Sequence, residues 1–152
     1  MSTILVLNGP NLNLLGEREP HIYGHTTLAQ IEERCKAVGT RLGLEVELRQ
    51  SNHEGQLVDW IHEARKTMSG IVFNPAAFSF TSIAILDALK ASELPIVEVH
   101  ITNIHRREPI YHKSYVSLAA TGVICGLGPF GYEAAVSFLA EHLGVQRAPL
   151  VP

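Results

Sequence analysis

Short β-branched and aliphatic runs alternate along this chain with stretches whose apolar positions recur at helical spacing, and no other feature restricts the fold as much. Strands and helices in strict alternation are the pattern of a parallel sheet, because parallel neighbours need a crossover and a helix is the usual one. Residues 3–7 are expected to form the first strand, nearly all apolar as suits a strand covered on both faces. A long loop follows, then a helix over about 28–42 closed by Gly43. Residues 44–49 alternate apolar and polar side chains and read as a second strand, nearer an edge. Residues 56–68 carry Leu57, Trp60, Ile61 and Ala64 at helical spacing. The third strand is expected at 70–73, a helix at 81–91, the fourth strand at 95–99, the fifth at 121–125 and the last helix at about 132–143.

Five strands with interleaved helices imply a flavodoxin-like, doubly wound five-stranded parallel sheet with helices on both faces. The 152 residues suit one domain, 1–152, with a loose tail from about 145. Hydrophobic residues at 46% and charged residues at 18% are globular rather than disordered values. A formal net charge of -3 speaks against a nucleic-acid partner, which calls for a basic face. No stretch is long enough to cross a bilayer, and the opening residues lack a basic signal-peptide start. Cys35 and Cys125 lie far apart in apolar segments, as buried free thiols do. A cytoplasmic protein without membrane contact is expected.

In doubly wound sheets, ligands bind beyond the carboxyl ends of the strands where the strand order reverses. The first strand runs into Asn8-Gly9-Pro10-Asn11, the third into Asn74 and the fourth into His100, so amides and an imidazole are expected along one crevice. Glu98 stands two residues before His100, on the same face of the strand, where it can orient the imidazole or hold its proton. Such a pair suits general acid–base work near neutral pH; a structural hydrogen bond is the bland alternative. The long loop 8–24 fits a functional segment, with Arg18 and Tyr23 its notable groups. A tyrosine of pKa near ~10 becomes a base only when a nearby cation favours the phenolate. From residue types alone the bland reading prevails: Arg18 in a salt bridge with Glu17 or Glu19, and Tyr23 a packing anchor.

Two tempting signals are set aside. Gly126-Leu-Gly-Pro-Phe-Gly131 matches G-x-G-x-x-G between a strand and a helix, but the next strand with its acidic residue is missing. Those glycines are expected to allow a tight turn and close helix–sheet packing. His100, His105 and His112 fit no common zinc spacing, so no metal is expected. His21, His25, His53, His62 and His142 read as surface histidines.

Several long motifs in register resemble the type II 3-dehydroquinate dehydratases, cofactor-free enzymes of the shikimate and quinate pathways. They are NGPNLNLLGEREPHIYG, RQSNHEGQLVDWIHEA, NPAAFSFTSIAILDAL, EVHITNIHRRE and ATGVICGLGPFGY, and they cover nearly the whole chain. The resemblance implies that Tyr23, as a phenolate activated by Arg18, removes a proton next to the substrate ketone. A water held near Asn11 would stabilise the enolate, and His100, oriented by Glu98, would protonate the departing hydroxyl. It also implies that Asn74 and the backbone amides around Ile101 and Thr102 hold the substrate carboxylate. Asp87 and Arg107 match site positions as well, with Asp87 reaching a neighbouring subunit's site in a trimer, often assembled into a dodecamer.

Three positions depart from that pattern. The family's His-Thr-Ser is Phe80-Thr81-Ser82 here, the arginine before the helix aspartate is Leu86, and a substrate-binding arginine is replaced by Tyr111. Phe80 and Tyr111 would face the ring hydroxyls remote from the elimination, where a lost charged hydrogen bond costs about 1.5–3 kcal/mol. The leading expectation is a working dehydratase with an altered pocket. Alternatives are a paralogue acting on a less hydroxylated cyclic keto acid, and a silent binding protein that assembles with an active relative. A further reading gives Phe80 and Leu86 to a subunit interface.

Overall fold

All five expected strands form, and in the computed structural model of the chain they join one parallel sheet. The structure describes residues 1–145; the loose tail expected from about 145 lies outside them, apart from Val145 itself. Strands β1 (Thr3–Asn8), β2 (Glu45–Gln50), β3 (Gly70–Asn74), β4 (Ile96–His100) and β5 (Gly122–Cys125) take the order β2-β1-β3-β4-β5. Every neighbouring pair is parallel. The chain goes outward from β1 to β2, then crosses back to β3, so the order reverses between β1 and β3.

The helices are α1 (Pro20–Tyr23), α2 (Leu28–Leu42), α3 (Glu54–Thr67), α4 (Ile83–Ser92) and α5 (Phe130–His142). Side chains of a strand alternate between faces, and β1 supplies both cores. Ile4 and Val6 pack with Val72, Val97 and Val99 against α2 and α5. Leu5 and Leu7 pack with Ile71 and Phe73 against α3 and α4. This two-sided burial explains the uninterrupted apolar run of the first strand, and it confirms the expected doubly wound class. β2 is an edge strand, half-exposed along most of its length, as its mixed pattern implied.

The start of α2 is fixed by a reciprocal cap: the Thr27 hydroxyl accepts from the Gln30 N–H, and the Gln30 side chain accepts from the Thr27 N–H. The glycine-rich segment after β5 is a turn into α5. Gly126 has φ +83° and lies against Asn103, while Gly131 lies against Ile124 and Val99 of the sheet.

The loops beyond the carboxyl ends of β1 and β3 touch at Gly9. Its N–H donates to the Asn74 carbonyl at 2.8 Å, and an added Cβ would overlap the Pro75 carbonyl. Gly9→Ala is therefore expected to cost about 1–3 kcal/mol through overpacking, read as a lower urea midpoint. An unchanged midpoint would show that these loops do not depend on that contact.

Candidate active site

At the carboxyl ends of β1, β3 and β4 the structure holds one cavity with three distinct walls. The loop after β1 supplies Asn11, Arg18 and Tyr23. The end of β3 and the turn after it supply Asn74 and Phe80. His100, Ile101, Thr102, Arg107 and Tyr111 come from the end of β4 and the segment beyond it. Of the site residues that the resemblance implied, Glu98 and Asp87 are not part of this lining. Glu98 lies fully buried behind His100, and Asp87 stands exposed on α4.

The acidic wall is a buried pair. The His100 ring nitrogen Nε2 and Glu98 Oε2 share a hydrogen bond, with both side chains almost wholly enclosed. The second oxygen of Glu98 accepts from the Ser117 hydroxyl at 2.6 Å. Burial alone would raise the Glu98 pKa. The hydrogen bond and charge of His100, helped by the hydroxyls of Ser117 and Ser114, outweigh it and hold the carboxyl below its ordinary range. Glu98 is thus a carboxylate at neutral pH, able to stabilise an imidazolium beside it.

A second wall brings cations to a phenol. Arg18 lies over the Tyr23 ring at 5.2 Å from its centroid, and Arg107 flanks the same ring at 5.6 Å. Among the described residues Arg18 forms no salt bridge with Glu17 or Glu19, which corrects the reading that residue types favoured. The short helix α1, started by Pro20, carries Tyr23 into the cavity. Arg107 also stacks at 4.0 Å on Tyr111, whose ring meets Phe80 edge-on at 5.4 Å. Phe80 in turn stacks at 6.1 Å from His100. The two aromatic substitutions therefore form one apolar wall between the acidic pair and Arg107. Leu86 is buried within its own chain, leaving little of it for a subunit interface.

Between these walls lies an amide held from below. Asn74 Nδ2 donates to the Tyr132 hydroxyl at 2.9 Å, and Tyr132 donates to Asn8 Oδ1 at 2.7 Å. Asn74 Oδ1 accepts from the Ala76 N–H, which leaves one amide hydrogen of Asn74 uncommitted. Burial keeps the Tyr132 phenol protonated well above its usual range, although the Asn74 hydrogen bond opposes this. Asn8 is thus not on the rim; it turns inward, and Asn11 is the amide that the first loop delivers. Asn11 adopts the left-handed region at φ 68° and donates its N–H to Asn52 Oδ1. Gln50 joins the same patch by donating to the Gly9 carbonyl and to Asn52.

Elsewhere, no three His, Cys, Asp or Glu side chains gather as a ligand set among the described residues. No helix there is long and apolar enough to cross a membrane. Cys35 is buried, with its thiol pushed up to about 12; Cys125 is only half-buried, and both are free.

The family model described as dehydroquinase class II matches residues 2–140. The chain belongs to that family. The "3-dehydroquinate dehydratase 2" of Pseudomonas putida is 60% identical over 145 residues, covering 95% of this chain and 97% of its own. A 3-dehydroquinate dehydratase of Cereibacter sphaeroides is 62% identical over 135 residues, covering 89% of this chain and 92% of its own. Among solved structures, the type II dehydroquinase of Propionibacterium acnes superimposes with a TM-score of 0.90 at 50% identity, covering 93% of this chain and 97% of that one.

Within this class II dehydroquinase, the supporting residues are what sequence reasoning missed. Tyr132 closes the last quoted motif and Asn52 lies inside the second, but neither has a neighbour in sequence that betrays its partner. Removing the Tyr132 hydroxyl leaves Asn8 Oδ1 and Asn74 Nδ2 without that buried partner. Tyr132→Phe should lose about 1–3 kcal/mol of stability by urea unfolding. A loss well under that range would mean that water or a neighbour replaces the phenol.

Proposed function

We propose that this chain dehydrates 3-dehydroquinate to 3-dehydroshikimate, with Tyr23 as base and His100 as acid. The observation that carries this reading is that a cation-flanked phenol and a carboxylate-paired imidazole line the same cavity. The relatives that share most of the chain's length bear the name of that activity.

In the proposed sequence the Tyr23 phenolate, stabilised by Arg18 and Arg107, takes a proton from the carbon next to the ketone. The C–H electron pair becomes an enolate, whose oxygen is served by a water near Asn11. Collapse of the enolate expels the hydroxyl, which takes a proton from His100 and leaves as water. The Glu98 carboxylate stabilises the imidazolium before transfer. Asn74, with its one free amide hydrogen, and the backbone N–H groups of Ile101 and Thr102 grip the substrate carboxylate. No cofactor is needed for this sequence.

The aromatic wall of Phe80 and Tyr111 bears on substrate range. It offers apolar surface, apart from the Tyr111 hydroxyl, near the ring positions remote from the elimination. The runner-up substrate, a cyclic keto acid with fewer hydroxyls, would suit that surface, but the relatives favour dehydroquinate.

We also place the enzyme in the cytoplasm as a homo-oligomer, with trimers assembling into a dodecamer. Support comes from Ile83 and Asp87, one turn apart on the exposed side of α4, and from exposed Val123 on the edge strand β5. Asp87 would reach a neighbouring copy's cavity from there.

Purified protein mixed with 3-dehydroquinate should show the ultraviolet absorbance of the conjugated product. Tyr23→Phe should reduce kcat by about 10²-fold or more, the scale of general base catalysis. A folded protein without turnover would shift the assignment to another keto acid, and a fully active Tyr23→Phe would remove Tyr23 as the base. Phe80→His with Tyr111→Arg should raise kcat/KM for dehydroquinate by roughly tenfold, one recovered charged hydrogen bond. No rise would mean that the aromatic wall does not limit recognition.

A further inference from the structure

The loop before β5 reaches the acid pair through Ser117. This residue sits in a single 3-10 turn, Val116–Leu118, whose Val116 is buried in the core while Leu118 stays exposed. Burial of Val116 fixes the turn, and the turn presents the Ser117 hydroxyl to Glu98 from the side opposite His100. The carboxylate is thereby held at both oxygens: Oε2 by the imidazole and Oε1 by the serine at 2.6 Å. A carboxylate bonded at one oxygen can rotate about its terminal bond, and the imidazole bonded to it then turns as well. Bonding at both oxygens removes that freedom.

We infer that Ser117 is a positioning residue for the reaction, fixing the Glu98 carboxylate so that His100 presents its proton at one angle to the cavity. The inference rests on the reading of His100 as the acid. The serine is not among the residues that line the cavity, and its hydrogen bond is to Glu98.

The surroundings of the carboxylate make the effect readable. The titratable groups set against it are His100 on its own strand and the Cys125 thiol on β5, paired in register with His100. Burial and the Glu98 charge both raise the Cys125 pKa, so the thiol stays neutral and supplies no competing charge. The Ser114 hydroxyl, buried nearby, also favours ionised Glu98 but makes no well-directed hydrogen bond to it, so Ser117 is the hydroxyl that holds the second oxygen. Phe80 stacks on the His100 ring from the cavity side and carries no charge.

Removing the Ser117 hydroxyl withdraws a donor that favours ionised Glu98, so the carboxyl should accept its proton at higher pH. The experiment follows the Glu98 carboxyl carbon by NMR against pH, in the full-length protein and in Ser117→Ala and Ser117→Thr. Dehydroquinate kinetics are measured on the same samples. Ser117→Ala should move the Glu98 titration upward and lower kcat by roughly 5–20-fold with KM within about twofold, a fraction of what acid catalysis supplies. Ser117→Thr, which keeps the hydroxyl, should restore both. An unmoved titration overturns the inference whatever kcat does, and a kcat loss that threonine does not rescue overturns it as well. A moved titration with unchanged kcat also overturns it. His100→Gln, measured alongside, then tells whether the fault lies here or in the acid assignment, because retained activity in that variant would remove His100 as the acid.

Discussion

One phenol hydroxyl ties together the two strands between which the sheet reverses direction. Tyr132, on the first turn of α5, donates to Asn8 at the end of β1 and accepts from Asn74 at the end of β3. All three side chains are enclosed, so each polar atom must find its partner inside the protein or lose stability. Asn8 spends its amide hydrogens on the Val6 and Arg49 carbonyls, which brings the edge strand β2 into the same network. The crevice of a doubly wound sheet is thus given a polar floor that a purely apolar core could not provide. The loop with Asn11 and the turn with Ala76 both rest on it. Ala76 is held in the left-handed region at φ 52°, strained for a residue with a Cβ, and it donates its N–H to Asn74.

The two reactive walls are built with different stiffness. Glu98 and His100 belong to one central strand, two residues apart, so their relative placement follows from strand geometry alone. Arg18 and Tyr23 come from a long loop, with Tyr23 ending the single helical turn that Pro20 starts and Arg18 just ahead of that turn, its guanidinium over the ring. Arg107 bridges the walls, since it stacks on Tyr111 at one side and flanks Tyr23 at the other. In this chain the Tyr111 substitution does more than subtract a charge: it offers a flat surface on which Arg107 rests.

The sheet and its helices were legible because their signals are local. α2 was bounded correctly at both ends because its cap lies within the helix's own first turn and Gly43 follows its last residue. The Glu98–His100 pairing was legible for the same reason, being set by a spacing of two. The sequence pattern assigns residues 104–118 no element; they form three 3-10 turns, tied down in part by distant contacts such as the Tyr115 N–H on the Ser79 carbonyl. Tyr132 and Ser117 were missed on equal grounds, since their partners lie 124 and 19 residues away. Residue types alone give Arg18 to its sequence neighbours, whereas the folded loop lays it over Tyr23, where the resemblance puts it. Asp87 stands exposed on α4, outside the cavity of its own chain.

The one amide hydrogen that Asn74 leaves free bears on how the cavity answers to acidity. A carboxamide with one free hydrogen, beside backbone N–H groups, grips an anion with donors that never ionise. In the proposed reaction the carboxylate anchor would therefore stay the same from mild acid to mild base. The grip on that end of the substrate would be set by shape and by fixed dipoles, so a change of acidity would not by itself release it.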